Sequence, residues 1–140
     1  MSRFTGPLAV SFLDLSEAGE GRIALLLEPL VWECDDLGSG LVVTVPAEFQ
    51  CDGASVPRFM WWFLPPWGDL STRAAVLHDY LCELLDLGTP APGAETRRAC
   101  DRQFRLALIA LRLAAWRAWL AWAGVRAWSI IDGHRRRAAG

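Results

Sequence analysis

The two halves of this chain differ in how apolar and polar residues follow one another. Three short apolar runs, at 22–27, 30–34 and 41–45, are separated by segments rich in Gly, Asp and Glu. Short runs of this kind, with β-branched residues in the third, are typical of β-strands. The Gly- and Asp-containing segment 35–40 favours a hairpin between the second and third strands.

Apolar residues recur every three or four positions in the second half, and this spacing predicts helices. The first helix is predicted to follow a cap at Asp69 or Ser71 and to run to about Leu87. Gly88 is predicted to stop it, because glycine adopts the left-handed conformation that ends many helices.

Two further helices follow. Thr96 or a neighbour opens the second, which carries arginines on one face and apolar side chains on the other. The third covers about 115–131 and is rich in Trp. Strands followed by helices indicate an α+β fold, with a small N-terminal antiparallel β-sheet or hairpins and then a bundle of about three helices.

The length of 140 residues suits one hydrophobic core. We expect a single domain over 1–140, with a β-rich part at 1–60, a helical part at 69–132 and a basic tail at 133–140.

The amino-acid composition indicates which kinds of partner the protein is expected to bind. Hydrophobic residues make up 53% of the chain and eight are Trp, which suggests apolar surface kept for a partner or a membrane interface. The net charge of −2 gives no general argument for nucleic acid, so no nucleic-acid partner is expected. The four Cys form no C-x-x-C pair, which disfavours a zinc ribbon or a thioredoxin-like redox site.

Targeting signals and membrane spans are not evident in the sequence. The first residues do not combine a basic region with an apolar one, so no signal peptide is expected. Arg112, Arg117 and Arg126 interrupt the apolar stretch 106–131, and its longest uncharged run falls far short of the ~20 residues that a span needs. We therefore expect no transmembrane helix, while peripheral membrane contact through the Trp residues stays open.

Three polar residues lie on or beside the apolar faces of the first two helices. His78 lies on the predicted inward face of the first helix, Asp79 borders that face, and Asp101 lies at the edge of the apolar stripe of the second helix. A short loop between the helices would bring Asp101 beside His78, where a carboxylate orients an imidazole and raises its basicity. His78 and Asp101 are therefore candidate catalytic residues, and Asp79 is a candidate ligand for calcium or another divalent cation.

Structural explanations for the same residues stay open. A histidine on an apolar helix face is often a hydrogen-bonded core residue. Asp101 lies within the first two turns of its helix, where it would favour the positive end of the dipole and pair with Arg97 or Arg105.

A second candidate segment precedes the helices. Asp52 is either part of a tight turn or a second ligand in the His78 site, and Gly53 and Ser55 suit a close approach of chain segments. The candidate residues that shape the site are Gly53, Ser55 and Arg58.

Four segments in linked order resemble a known family. They read F-Q-C-D-G-A-S-V-P-R at 49–58, P-P-W-G at 65–68, A-V-L-H-D-Y-L at 75–81 and R-A-C-D-R-Q-F at 98–104. This pattern is similar to that of domain-of-unknown-function family 1353, which is common in phages and prophages. Cys51 stands where that family usually has Thr, and Cys82 stands where it usually has a second Tyr.

A weaker resemblance concerns the site alone. Small secreted phospholipases also place His-Asp on one helix and an Asp on the next. By that resemblance, His78 would activate water, Asp79 would bind calcium and Asp101 would orient the imidazole. The glycine-rich calcium loop and the disulfides of those enzymes are not recognisable in this sequence.

The family resemblance implies a phage- or prophage-derived accessory protein of the virion tail or of tail assembly. Trp116, Trp119 and Trp122 would then form an apolar, arginine-flanked surface that docks on phage structural proteins or on a second copy. The alternative is a metal-assisted His-Asp hydrolase, phospholipase-like or directed at the cell wall, that acts in entry or lysis. The sequence leaves open whether the protein is an enzyme, and the expected location is the virion or the host bacterial cytoplasm.

Overall fold

The computed structural model describes residues 2–14, 22–34, 40–51 and 72–139. Within these ranges, six strands precede three helices. The strands are β1 (Arg3–Thr5), β2 (Val10–Asp14), β3 (Arg22–Leu26), β4 (Leu30–Cys34), β5 (Leu41–Val45) and β6 (Gln50–Cys51). The helices are α1 (Thr72–Asp86), α2 (Arg97–Ala110) and α3 (Ala115–Ala139). This order confirms the predicted α+β class.

The strands form two antiparallel three-stranded sheets, in the orders β1-β4-β5 and β2-β3-β6. The three predicted strands correspond to β3, β4 and β5, and the predicted hairpin pairs Cys34 with Leu41 and Leu30 with Val45. The sequence pattern missed β1, β2 and β6. β1 and β6 are too short to show a period, and in β2 the consecutive residues Phe12 and Leu13 are both exposed, so apolar and polar residues do not alternate there.

Helix α1 ends as the sequence predicts. Gly88 has φ +78°, and its N–H donates to the Leu85 carbonyl at 3.1 Å, while the Thr89 N–H donates to the Leu84 carbonyl at 2.9 Å. These two bonds form a Schellman motif, which satisfies carbonyls that the helix end would leave unpaired. The predicted caps Asp69 and Ser71 lie outside the described residues.

Helix α2 starts where the sequence predicts, whereas α3 extends further than predicted. Thr96 caps α2, because its Oγ1 accepts the Ala99 N–H at 3.1 Å. Helix α3 continues beyond the predicted end at Ile131 to Ala139, so the segment expected as a basic tail is helical in its described part. Arg and Ala are strong helix formers, and they extend the helix through that segment. None of the described helices is long and apolar enough to cross a bilayer.

The core lies between the sheets and the helices. Trp32 of β4 is fully buried, and its Nε1 donates to Oε1 of Gln103 in α2 at 3.0 Å. Around this bond pack other fully buried side chains, among them Val45, Leu77, Leu81, Phe104 and Leu108. The Trp32–Gln103 hydrogen bond therefore ties the first sheet to the helices.

Replacing Gln103 with Leu should destabilise the protein. The substitution leaves the buried Trp32 N–H without its acceptor, and we expect the free energy of unfolding to fall by about 1–3 kcal/mol. Urea denaturation of the wild type and of Gln103→Leu measures the loss. In a Trp32→Phe background, which has no indole N–H, the same substitution should cost much less. An equal loss in both backgrounds would contradict this explanation.

Candidate functional site

The loop between α1 and α2 brings His78 and Asp101 together. It runs through Gly88 and Gly93, and Gly93 has φ +81° and lies so close to the Leu41 side chain that no other residue fits without movement. The resulting helix pair places His78 Nε2 2.6 Å from Asp101 Oδ1. His78 is 2% exposed and Asp101 is fully buried, so this is an interior pair.

Arg126 completes the pair from α3. Its Nη1 donates to Asp101 Oδ2 at 2.9 Å, so both carboxylate oxygens of Asp101 are engaged. The expected partners Arg97 and Arg105 do not take this position. A buried carboxylate needs such partners, since an unpaired charge in the interior costs several kcal/mol. Sequence reasoning missed Arg126, although an arginine within an apolar helix was a usable signal.

The Asp101 contact determines the tautomer of His78. An ionised carboxylate only accepts hydrogen bonds, so the proton of the pair resides on Nε2. The Cys82 Sγ lies 3.6 Å from the same nitrogen and is a weaker neighbour. The other nitrogen, Nδ1, is buried and has no hydrogen-bond partner within the described ranges. Among the described residues, His78 therefore lacks the full set of hydrogen bonds that the structural alternative implies.

The surroundings of His78 act on its pKa in opposite directions. Burial is the largest single influence and lowers the pKa, but the hydrogen bonds and charges of Asp101 and Cys82 together outweigh it and raise the pKa of His78 to about 10. Hydrogen bonding to Cys100 and burial raise the pKa of the Cys82 thiol. Asp101 and Cys82 both raise the His78 pKa, and the hydrogen bond with Asp101 is the largest of these raising contributions.

The stability of the protein should depend on pH through His78. A folded pKa near 10 exceeds the unfolded value of about 6.5, so the stabilisation is complete below the unfolded value and is lost as pH rises towards the folded one. From about pH 7.5 to 8.5, His78 should lower the free energy of unfolding by about 1.4 kcal/mol per pH unit. Denaturation of the wild type and of His78→Gln across this window isolates the contribution.

Direct titration provides the control for that measurement. The chain has two histidines, so His134→Gln leaves His78 as the one imidazole in a nitrogen-15 NMR spectrum. The expected spectrum shows a protonated ring through pH 8. A neutral ring at pH 7 would contradict the raised pKa.

A cavity of about 660 Å³ has His78 in its wall. Its charged lining comprises Asp79, Glu83, Asp86, Asp132 and Arg97. Among the described residues, four carboxylates thus oppose one guanidinium and the protonated imidazole of His78, and the local field favours cations over anions. Trp128 of α3 and Phe49 contribute apolar surface. Apart from His78 and Asp79, the site prediction from sequence did not include these wall residues.

Asp79 is positioned by a thiol. The Cys51 Sγ donates to Asp79 Oδ2 at 2.9 Å, so the residue that replaces the usual Thr still offers a hydrogen bond at this place. No group of three or more His, Cys, Asp or Glu side chains within the described ranges is arranged to hold a metal ion. A calcium ion takes six to eight oxygen ligands, so these residues do not by themselves fit the expected site.

Four predicted site residues fall on undescribed parts of the chain. Asp52, Gly53, Ser55 and Arg58 lie outside the described residues. Their expected roles as a metal ligand and as residues that shape the site stay predictions.

The predicted partner surface on α3 is largely exposed. Trp116 is 65% exposed and Trp119 is 50% exposed, while Trp122 is half-buried. The Trp119 and Trp122 rings meet edge to face with centroids 5.5 Å apart. Their role in binding a partner stays a prediction.

Fold and site together define an α+β protein with a buried His-Asp-Arg network beside an acidic cavity. The family described as Protein of unknown function (DUF1353) matches residues 25–125, and the chain belongs to this family. No curated protein and no solved structure matches the chain.

Proposed function

We propose that this protein is a hydrolase that uses His78 as its general base. The observation that carries the proposal is a buried histidine whose Nε2 is held by Asp101 and whose Nδ1 has no hydrogen-bond partner among the described residues. A histidine that served packing alone would have no use for an unsatisfied ring nitrogen, because leaving one buried costs about 1–3 kcal/mol.

The proposed reaction uses residues of this chain alone. Neutral His78 takes a proton from water through Nδ1 while the water oxygen attacks an ester or amide carbonyl carbon. Asp101 stabilises the imidazolium that forms, and Arg126 holds Asp101 in place. The imidazolium then gives its proton to the leaving oxygen or nitrogen, the bond to the carbonyl carbon breaks, and His78 returns to its neutral form. A divalent cation bound with Asp52 belongs to the sequence prediction, and no step depends on it.

The cavity wall indicates the class of substrate. Asp79, Glu83, Asp86 and Asp132 would repel an anionic group placed beside His78. We therefore propose an uncharged or cationic ester or amide at the reacting position, with Phe49 and Trp128 against its apolar part.

Hydrolysis assays with matched histidine variants test the proposal. Suitable substrates are neutral aryl esters, choline esters, phosphatidylcholine vesicles and peptidoglycan fragments. With whichever substrate the wild type turns over, His78→Gln should lower kcat/KM by about 10²–10⁴-fold. His134→Gln, the matched control in exposed α3 surface, should keep wild-type activity.

A reagent that needs no known substrate complements the assay. A neutral bromoketone should alkylate Nδ1 of His78, and peptide mass spectrometry identifies the modified residue. Turnover that survives His78→Gln, or a His78 that resists alkylation at alkaline pH in the folded protein, would contradict the proposal.

The role in a phage tail or in tail assembly stays a prediction, supported by the family resemblance. A role in the tail is compatible with a hydrolase that acts during entry or lysis. The hydrolysis assays described above therefore bear on the tail role as well as on the proposed hydrolase.

A further inference from the structure

Helix α3 has a second apolar face directed at solvent. At about 100° per residue, Trp116, Leu120, Ala123, Ala127 and Ile130 fall on one stripe, and all five are exposed. Trp116, Leu120 and Ile130 are 65%, 52% and 50% exposed. The opposite stripe, with Ala118, Ala121 and Val125, is the one buried in the core. The exposed apolar stripe is about 21 Å long, at 1.5 Å per residue.

Charge is divided unequally along the chain. Residues 97–140 hold ten arginines and two acids, whereas residues 1–96 hold four arginines and fourteen acids. Of the two C-terminal acids, Asp101 is buried against His78 and Arg126, and Asp132 lines the cavity of the candidate site. Arg126 pairs with Asp101 and Arg97 lines the same cavity as Asp132, so the other eight arginines give the C-terminal part an excess of positive charge, although the net charge of the protein is −2.

A second cavity lies between α2 and α3, beside the apolar stripe. It measures about 530 Å³ and its wall includes Arg98, Arg102, Arg105, Trp119 and Trp122. The Arg105 guanidinium lies 3.9 Å from the Trp119 ring centroid and 5.5 Å from that of Trp122. Two donors, Arg105 Nε and Trp122 Nε1, are buried without a hydrogen-bond partner among the described residues. Three guanidinium groups that line one cavity match the oxygens of a phosphate.

We propose that the α2–α3 face docks on an anionic phospholipid bilayer. The cavity with Arg98, Arg102 and Arg105 takes a lipid phosphate, and Trp116 and Leu120 enter the interface between headgroups and acyl chains. An amphipathic helix with Trp, Leu and Ile on one side and arginines on its flanks binds bilayer surfaces in this way. The proposal concerns a cavity that shares no wall residue with the cavity of His78, and it does not depend on the proposed chemistry of His78.

Charge decides between a bilayer and a second copy of the chain. A twofold packing through the stripe would bring the arginines of two copies towards each other with no exposed carboxylate of α2 or α3 between them. Like charges facing each other oppose association, whereas an anionic bilayer complements the whole face.

Sedimentation of the full-length protein with vesicles tests the docking. The two probes are vesicles of phosphatidylcholine alone and vesicles of phosphatidylcholine mixed with phosphatidylglycerol. We expect at least about tenfold tighter binding to the mixed vesicles, and weaker binding as salt is raised. Arg102→Gln and Arg105→Gln should each weaken binding about fivefold. Leu120→Gln and Ile130→Gln should weaken it by a similar factor, because each removes apolar surface from the interface.

Matched substitutions on the sheets provide the controls. Val42→Gln changes a side chain of β5 that is 59% exposed, and Arg3→Gln removes an arginine of β1, so neither should alter vesicle binding. Equal binding to both kinds of vesicle would overturn the proposal. So would a soluble glycerol phosphate that binds the protein as tightly as vesicles do. A stripe variant that converts a dimer to a monomer in the ultracentrifuge, with no vesicle binding by the wild type, would instead assign the face to a second copy.

Discussion

Substituting Asp101 with Asn should lower the free energy of unfolding by about 3–5 kcal/mol. The carboxylate is fully buried between His78 and Arg126, and the near-isosteric amide keeps the volume while it removes the charge. Both cations then lose their partner inside the protein. The same substitution should lower the pKa of His78, since the hydrogen bond with Asp101 is the largest of the contributions that raise it. Thermal or urea denaturation measures the first effect, and NMR titration measures the second.

Two further variants separate the effect of losing the buried charge from the effect of changing the side chain itself. Glu83→Gln makes the same chemical change at an exposed position of α1 and should leave stability within about 0.5 kcal/mol of the wild type. Combining Asp101→Asn with Arg126→Met should recover part of the loss, because Arg126 is no longer left unpaired. An Asp101→Asn protein as stable as the wild type, with an unchanged His78 pKa, would show that the network contributes nothing to the fold.

The proposed hydrolysis should speed up about tenfold for each pH unit from pH 7 towards the His78 pKa of about 10. A general base works in its neutral form, and the raised pKa leaves a small neutral fraction of His78 at pH 7. The profile of kcat/KM reports groups of the free enzyme, so its alkaline rise should coincide with the NMR titration of His78. Initial rates in overlapping buffers, with circular dichroism to verify folding at each pH, measure it.

The Asp101→Asn variant is the informative comparison for this profile. Lowering the His78 pKa should move the rise towards neutral pH, while loss of the oriented tautomer lowers the plateau. A rate that instead falls as His78 loses its proton would assign the imidazolium the role of an acid and contradict the general-base mechanism.

Much of this arrangement could be predicted from local patterns. The spacing of apolar residues placed His78 on the inner face of α1, and Gly88 marked the turn that returns the chain along α2. Those two features are local, so they were sufficient to expect Asp101 next to His78. The hairpin of β4 and β5 followed in the same way from two apolar runs around a Gly-rich segment.

The remaining features depend on how elements that are far apart in the sequence pack against each other. Arg126 was visible as a charge in an apolar helix, but the periodicity of α3 alone does not say which carboxylate it meets. Gln103 lies between Arg102 and Phe104 in the sequence, and its burial follows from Trp32, which lies far away in the chain. The extension of α3 to Ala139 agrees with the helix propensity of Arg and Ala and with the favourable position of cations at a helix C-terminus.

The spacing of these contacts along the chain has a consequence for the order of folding. His78, Asp101 and Arg126 are separated by 23 and 25 residues, whereas Trp32 and Gln103 are separated by 71. Closing a short loop costs less chain entropy than closing a long one, so the helices can assemble the network before the sheet docks on them. Pulse-labelled hydrogen exchange during refolding should therefore protect amides of α1 and α2 earlier than the Trp32 indole N–H, which reports docking of the sheet. The polar network would then serve as the template on which the sheet closes, and simultaneous protection of the helices and the indole would exclude that order.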